Sequence, residues 1–97
     1  TGVKEKPLPT EFALSQNYPN PFNPTTKLEY ALPKQSHVTL EVYNLLGQRV
    51  ATLLDEAKQA GYHAVDFDAN GFASGLYFYR MTANGSVTFM KKMLLLK

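Results

Sequence analysis

Cysteine is absent from the 97-residue chain. Neither a disulfide framework nor a thiolate metal site can therefore form. The compartment stays open, because a secreted domain of this size can hold together on packing alone. Histidine is scarce, with only His37 and His63. A surplus of one charge sign is also missing: the formal net charge is +2, too small for a nucleic-acid binder. Long hydrophobic runs are missing too. No run exceeds four residues, as in Met93-Leu94-Leu95-Leu96, far short of the roughly 20 apolar residues of a membrane-spanning helix. The first ten residues are polar, carry Pro7 and Pro9, and show no signal-peptide pattern. Residues 1–11 read as a linker from an upstream domain.

What is present points to a globular β domain. Hydrophobic residues make up 44% of the chain and charged residues 19%, the balance of a folded chain rather than a disordered one. The length fits one domain, 12–97, with a short tail and a thin core. Apolar residues recur with period two. In "TKLEYALP", Leu28, Tyr30 and Leu32 share one face, and Lys27 and Glu29 the other. In "SHVTLEVYN", Val38, Leu40 and Val42 oppose Thr39 and Glu41. "QRVATLL" is apolar on both faces, so its sidedness is ambiguous.

Turn signals fall between these runs. Gly47 in "YNLLGQ" and Asn84-Gly85 in "ANGSV" each mark a tight hairpin with left-handed backbone. "LLDEAKQA", residues 53–60, reads as a strand end plus loop, with room for a single helical turn. The strands fall near residues 11–15, 25–32, 36–43, 48–54, 62–68, 76–83 and 86–95. About seven short strands at this spacing form an antiparallel β-sandwich. Tyr62, Phe67, Phe72, Tyr77, Phe78, Tyr79 and Phe89 are expected to fill much of its core.

"NYPNPFNPTT" places Pro19, Pro21 and Pro24 among Asn17, Asn20 and Asn23. Proline cannot donate to a sheet ladder and biases the preceding residue toward extended backbone. The segment is expected to cross rigidly and extended between the first two strands. Asparagine side chains bonded to nearby backbone would support it, and Tyr18 and Phe22 would pin it. The same loop has the alternative of binding a ligand.

Chemistry-bearing patterns are few. Ser36, His63 and Asp66 can be written as a triad. His63 and Asp66 have opposite strand parity, however, and should face apart. "DFDANG" offers Asp66, Asp68 and Asn70 before Gly71, the first half of a calcium loop. The twelfth position is Tyr77 where a glutamate is needed, and the same residues suit a solvated turn. Glu29 and Glu41 sit mid-strand on expected solvent faces, not across a cleft. Tyr77 and Tyr79 share a strand face, to be packed in the core or to stack on sugar rings. Lys91 and Lys92 in "FMKKMLLLK" guard an edge strand or form an address that a partner reads through main-chain pairing.

Taken together, "LSQNYPNPFNPTT", "VTLEVYNLLGQRVATL", "GYHAVDFDANGFASGLYFYRM" and "KKMLLLK" resemble the C-terminal sorting domain of type IX secretion, over about residues 12–97. That family is related to the immunoglobulin-like domain of the flagellar hook-capping protein. The resemblance implies an immunoglobulin-like sandwich that acts as a transport signal, without catalysis or cofactor. It implies an upstream cargo domain, outer-membrane secretion machinery and a sortase-like cysteine protease as partners, with cleavage within residues 1–11. It implies passage through the periplasm to the cell surface or medium. The matching motif positions are the loop 17–24, the hairpin 43–49, Gly75 to Tyr79 with Gly75 and Tyr77 foremost, and the last strand with Lys91, Lys92 and Lys97. Ala69 to Phe72 is shorter than the insertion often found there in hook-capping relatives. The competing expectation is an accessory carbohydrate-binding or spacer module of a secreted hydrolase.

Overall fold

Period-two alternation becomes seven strands in the computed structural model, which describes residues 7–97. They are β1 (Ala13–Leu14), β2 (Thr25–Leu32), β3 (Ser36–Tyr43), β4 (Arg49–Lys58), β5 (Gly61–Asp68), β6 (Gly75–Ala83) and β7 (Val87–Leu95). No helix occurs among the described residues. One sheet has the order β1-β2-β5 and the other β4-β3-β6-β7, all pairs antiparallel.

The two inner faces make the core. Leu28, Tyr30, Leu32 and Phe67 come from the smaller sheet; Val38, Leu40, Val42, Tyr79, Met81, Met93 and Leu95 come from the larger. Tyr79 is fully enclosed, and its hydroxyl donates to the Ser15 carbonyl at 2.7 Å. Burial pushes this phenol up to about 12, opposed by the main-chain N–H of Asn17.

Both hairpins follow their turn residues. Asn84 and Gly85 have φ of +54° and +72°, the paired left-handed conformation whose twist suits antiparallel strands. The Asn84 side chain also accepts from His37 N at 2.9 Å, tying this turn to β3. At the β3–β4 turn, Asn44 Oδ1 accepts from Leu46 N and Gln48 N, and Gly47 has φ of +81°.

Some expectations need correction. The first strand shortens to Ala13–Leu14, because the chain turns into the proline segment. Residues 53–58 continue β4 with no helical turn, since Asp55, Glu56 and Ala57 pair with Thr39, Val38 and His37. The ambiguous sidedness of β4 has a cause: the β3–β4 register shifts between Leu40 and Glu41 and again between Val42 and Tyr43. Each bulge inserts a residue and reverses the alternation, so Ala51, Leu53 and Leu54 all pack toward the core. Tyr62 is half-exposed and Phe78 is half-buried outside the core cluster, rather than core, while Phe22 and Tyr30 are buried. The linker assigned to 1–11 falls mostly on residues 1–6, outside the described residues.

The proline segment bends where an extended run was expected. Tyr18-Pro19, Asn20-Pro21 and Asn23-Pro24 are cis. Asn17, buried, donates through Nδ2 to the Pro19 carbonyl at 3.1 Å and to Thr26 Oγ1 at 3.0 Å. Thr26 Oγ1 donates to the same carbonyl at 2.8 Å. This buried polar knot draws the loop back on itself. Phe22 pins it as expected, buried against Phe67 with ring centroids 6.0 Å apart. Tyr18 does not, because its side chain is exposed and only its main chain bridges Lys27.

Candidate recognition site

β7 has one strand neighbour, β6, and its other side forms a sheet edge. The proline strap runs along part of that edge. Phe22 N donates to the Leu94 carbonyl and Leu96 N to the Phe22 carbonyl, both at 3.0 Å. Asn20 Oδ1 accepts from Leu94 N at 3.0 Å, and Gln16 Nε2 donates to the Lys92 carbonyl at 2.6 Å. The prolines fit this role, because Pro19, Pro21 and Pro24 bring no donors that would need ladder partners. Two of their carbonyls are used elsewhere: Pro19 in the Asn17 knot and Pro24 as acceptor for Ala69 N at 2.9 Å. Asparagine was expected to bond nearby backbone. Asn17 does so, but Asn20 reaches across 74 residues.

The lysines are displayed on this strand and just beyond it. Lys92 is exposed and lies opposite Phe78; Lys91 is half-buried opposite Tyr79. Lys97 is exposed, and its main-chain N donates to Ser74 Oγ at 3.0 Å. None of the three joins an ion pair among the described residues. Gly75 and Tyr77 lie beneath, paired with Leu95 and Met93. Gly75 has φ of +152°, and a Cβ there would meet nothing within 4 Å. The backbone conformation, not the space, calls for glycine. Tyr77 is buried and donates its hydroxyl to the Ala73 carbonyl at 2.7 Å. It fastens the loop before β6.

One cluster escaped sequence reasoning. Glu41 is covered on the outer face of the larger sheet, although its position suggested solvent. Arg80 on β6 and Arg49 on β4 each donate to it at 3.0 Å, as does the Tyr43 hydroxyl. Arg80 also donates to the Tyr43 hydroxyl and lies 5.0 Å from that ring's centroid. The only available signal was the charge complement of Glu41, Arg49 and Arg80, which needs the strand register to become a contact. The Arg80 hydrogen bond holds the Glu41 carboxyl below its ordinary value of 4.5, with Arg49 and Tyr43 adding to the effect. A lowered folded value means the cluster contributes stability above 4.5, which is lost as pH falls through the folded value. Urea midpoints should therefore fall on acidification below pH 4.5. In Glu41→Gln that acid limb should be shallower. Identical acid limbs would show that the carboxylate is not coupled to folding.

The remaining candidates are dispersed. Asp66 and Asp68 lie on the same side of β5, pairing with Lys27 and Thr25, and Asp68 Oδ1 already accepts from Asn70 N at 2.9 Å. No group of three or more His, Asp or Glu suited to a metal occurs among the described residues. His63 stacks on Tyr30 at 5.2 Å, while Ser36 lies in the other sheet and donates to the Lys34 carbonyl. Tyr77 and Tyr79 are both buried, so neither offers a ring face to a sugar.

A comparison with curated proteins returned no match. The family model described as "Secretion system C-terminal sorting domain" matches residues 16–96. That span runs from the start of the strap to Leu96, taking in six of the seven strands and the whole β7 edge. The chain therefore belongs to the family of secretion system C-terminal sorting domains, the sorting signals of type IX secretion.

Proposed function

We propose that the sorting signal is read at β7, by an outer-membrane component of the type IX machinery that meets the domain in the periplasm. The observation that carries this reading is the placement of Lys91, Lys92 and Lys97 on and just after an edge strand, with no ion-pair partner among the described residues. Gly75 and Tyr77 act from below by shaping the strand against which β7 is laid. The upstream cargo travels with the domain to the cell surface or medium. A sortase-like protease then separates the two within residues 1–11. The domain performs no reaction itself. The accessory carbohydrate-binding reading loses its motivating pair, Tyr77 and Tyr79, to the core.

Charge reversal tests this without dismantling the fold. A reporter fused ahead of residues 1–97, carrying Lys91→Glu, Lys92→Glu and Lys97→Glu, should accumulate in the periplasm of a type IX host. The parent fusion should reach the surface. Circular dichroism of the isolated variant should match the parent, because Lys92 and Lys97 are exposed and Lys91 is only half-buried. Undiminished export of the reversed variant would remove the lysines from the signal.

A further inference from the structure

The strap leaves one stretch of the β7 edge uncovered, and that stretch borders an apolar groove. In an antiparallel ladder, alternate residues turn both main-chain groups away from the paired strand. Leu94 does so, giving its N–H to Asn20 and its carbonyl to Phe22. Lys92, Met90 and Thr88 share that phase. Strap hydrogen bonds reach the Lys92 carbonyl and go no further toward the β6–β7 turn. Among the described residues nothing pairs with the main-chain groups that Thr88 and Met90 turn outward or with the N–H of Lys92, and these form a short open window.

The groove lies on the outer face beside this window, with a volume of about 280 Å³. Tyr43, Leu45, Phe78, Arg80 and Met90 line it. Met90 belongs to both features, to the window by its backbone and to the groove by its side chain, which is 55% exposed. Leu45, at the hairpin tip, is 66% exposed. The charge here is one-sided: Arg80, Arg49 and Lys92 stand against the single carboxylate of Glu41, which the two arginines already share.

We propose that window and groove together dock an extended segment of the secretion machinery that carries, on one face, an apolar side chain with acidic side chains two residues to either side of it. It would add as a strand to Thr88–Met90–Lys92, lay a long apolar side chain over Met90 into the groove, and turn carboxylates toward Lys92 and Arg80. This rests on the sorting reading and names the chemistry of its partner.

The test titrates the isotope-labelled 97-residue chain with a capped peptide Glu-Thr-Phe-Thr-Glu, whose phenylalanine and glutamates share one strand face, and with its counterpart carrying lysine for each glutamate. Amide shifts are expected at Thr88, Met90, Lys92 and Phe78, with the lysine peptide weaker by at least roughly tenfold. Met90→Pro deletes an outward N–H that β6 does not use and should abolish binding. Leu45→Asp, outside every ladder, should weaken binding by about tenfold, and it carries the test if Met90→Pro fails to fold. Equal binding of both peptides, shifts confined to the smaller sheet, or no shifts at millimolar peptide would overturn the proposal. A parent reporter that is exported alongside a peptide that does not bind rejects the groove alone. A parent reporter that is not exported rejects the sorting reading beneath it.

Discussion

Deleting residues 91–97 is expected to unfold the domain, not merely to silence its signal. The deletion removes Met93 and Leu95, both enclosed in the core. It also removes the ladder pairs from Gly75–Leu95 to Tyr79–Lys91 and the strap's partners at Lys92, Leu94 and Leu96. Loss of each buried large side chain costs about 2–5 kcal/mol. Two such losses, with an opened ladder and an orphaned strap, approach or exceed the roughly 5–15 kcal/mol by which a domain of this kind is stable. Far-UV circular dichroism and amide dispersion should show a disordered chain at 25 °C. A dispersed spectrum from the truncated chain would show that β7 contributes little to the body. If the loss is as large as expected, failure of the truncated domain to export its cargo is uninformative about recognition. The lysine reversals are then the experiment that separates signal from scaffold.

Phe22→Ala is expected to lower stability by about 3–5 kcal/mol and to free the strap. Phe22 is buried at the edge of the core, with its ring against Phe67 and its main chain bridged to Leu94 and Leu96. Its side chain therefore sets the position of both hydrogen bonds. Urea denaturation measures the first effect. Hydrogen exchange reads the second: the Leu94 and Leu96 amides should lose more protection than the β3 amides of Val38 and Leu40. Uniform loss across the sandwich would mean that the strap holds without its anchor.

The sequence made most of this architecture legible. Clean alternation in β2 and β3 gave their bounds and inner faces, because the large buried apolar residues of each keep to one parity, Leu28, Tyr30 and Leu32 in β2 and Val38, Leu40 and Val42 in β3. Asn84-Gly85 gave its hairpin because few residues adopt left-handed backbone cheaply. Two bulges hid β4, since an inserted residue restores apolar character to both phases of the alternation. Tyr62 was misplaced for a related reason: its ring has the size of a core residue, but its parity on β5 opposes that of Phe67. The recognition site was legible only in part. Lysines near an edge can be read from order along the chain. The strap's grip on Leu94 and the pairing of Glu41 with Arg80 depend on which strands become neighbours, and no local pattern records that.

The strap also bears on when the domain can finish folding. Gln16 meets Lys92 at a sequence separation of 76, and Asn20 meets Leu94 at one of 74. Contacts so distant along the chain form late, because a long loop must close before they are rewarded. A chain threaded out amino end first cannot seat the strap until residues 92–96 have emerged. Completion of the sandwich thus reports that the whole domain has arrived, and the segment around Phe22 waits, apolar and uncovered, until then.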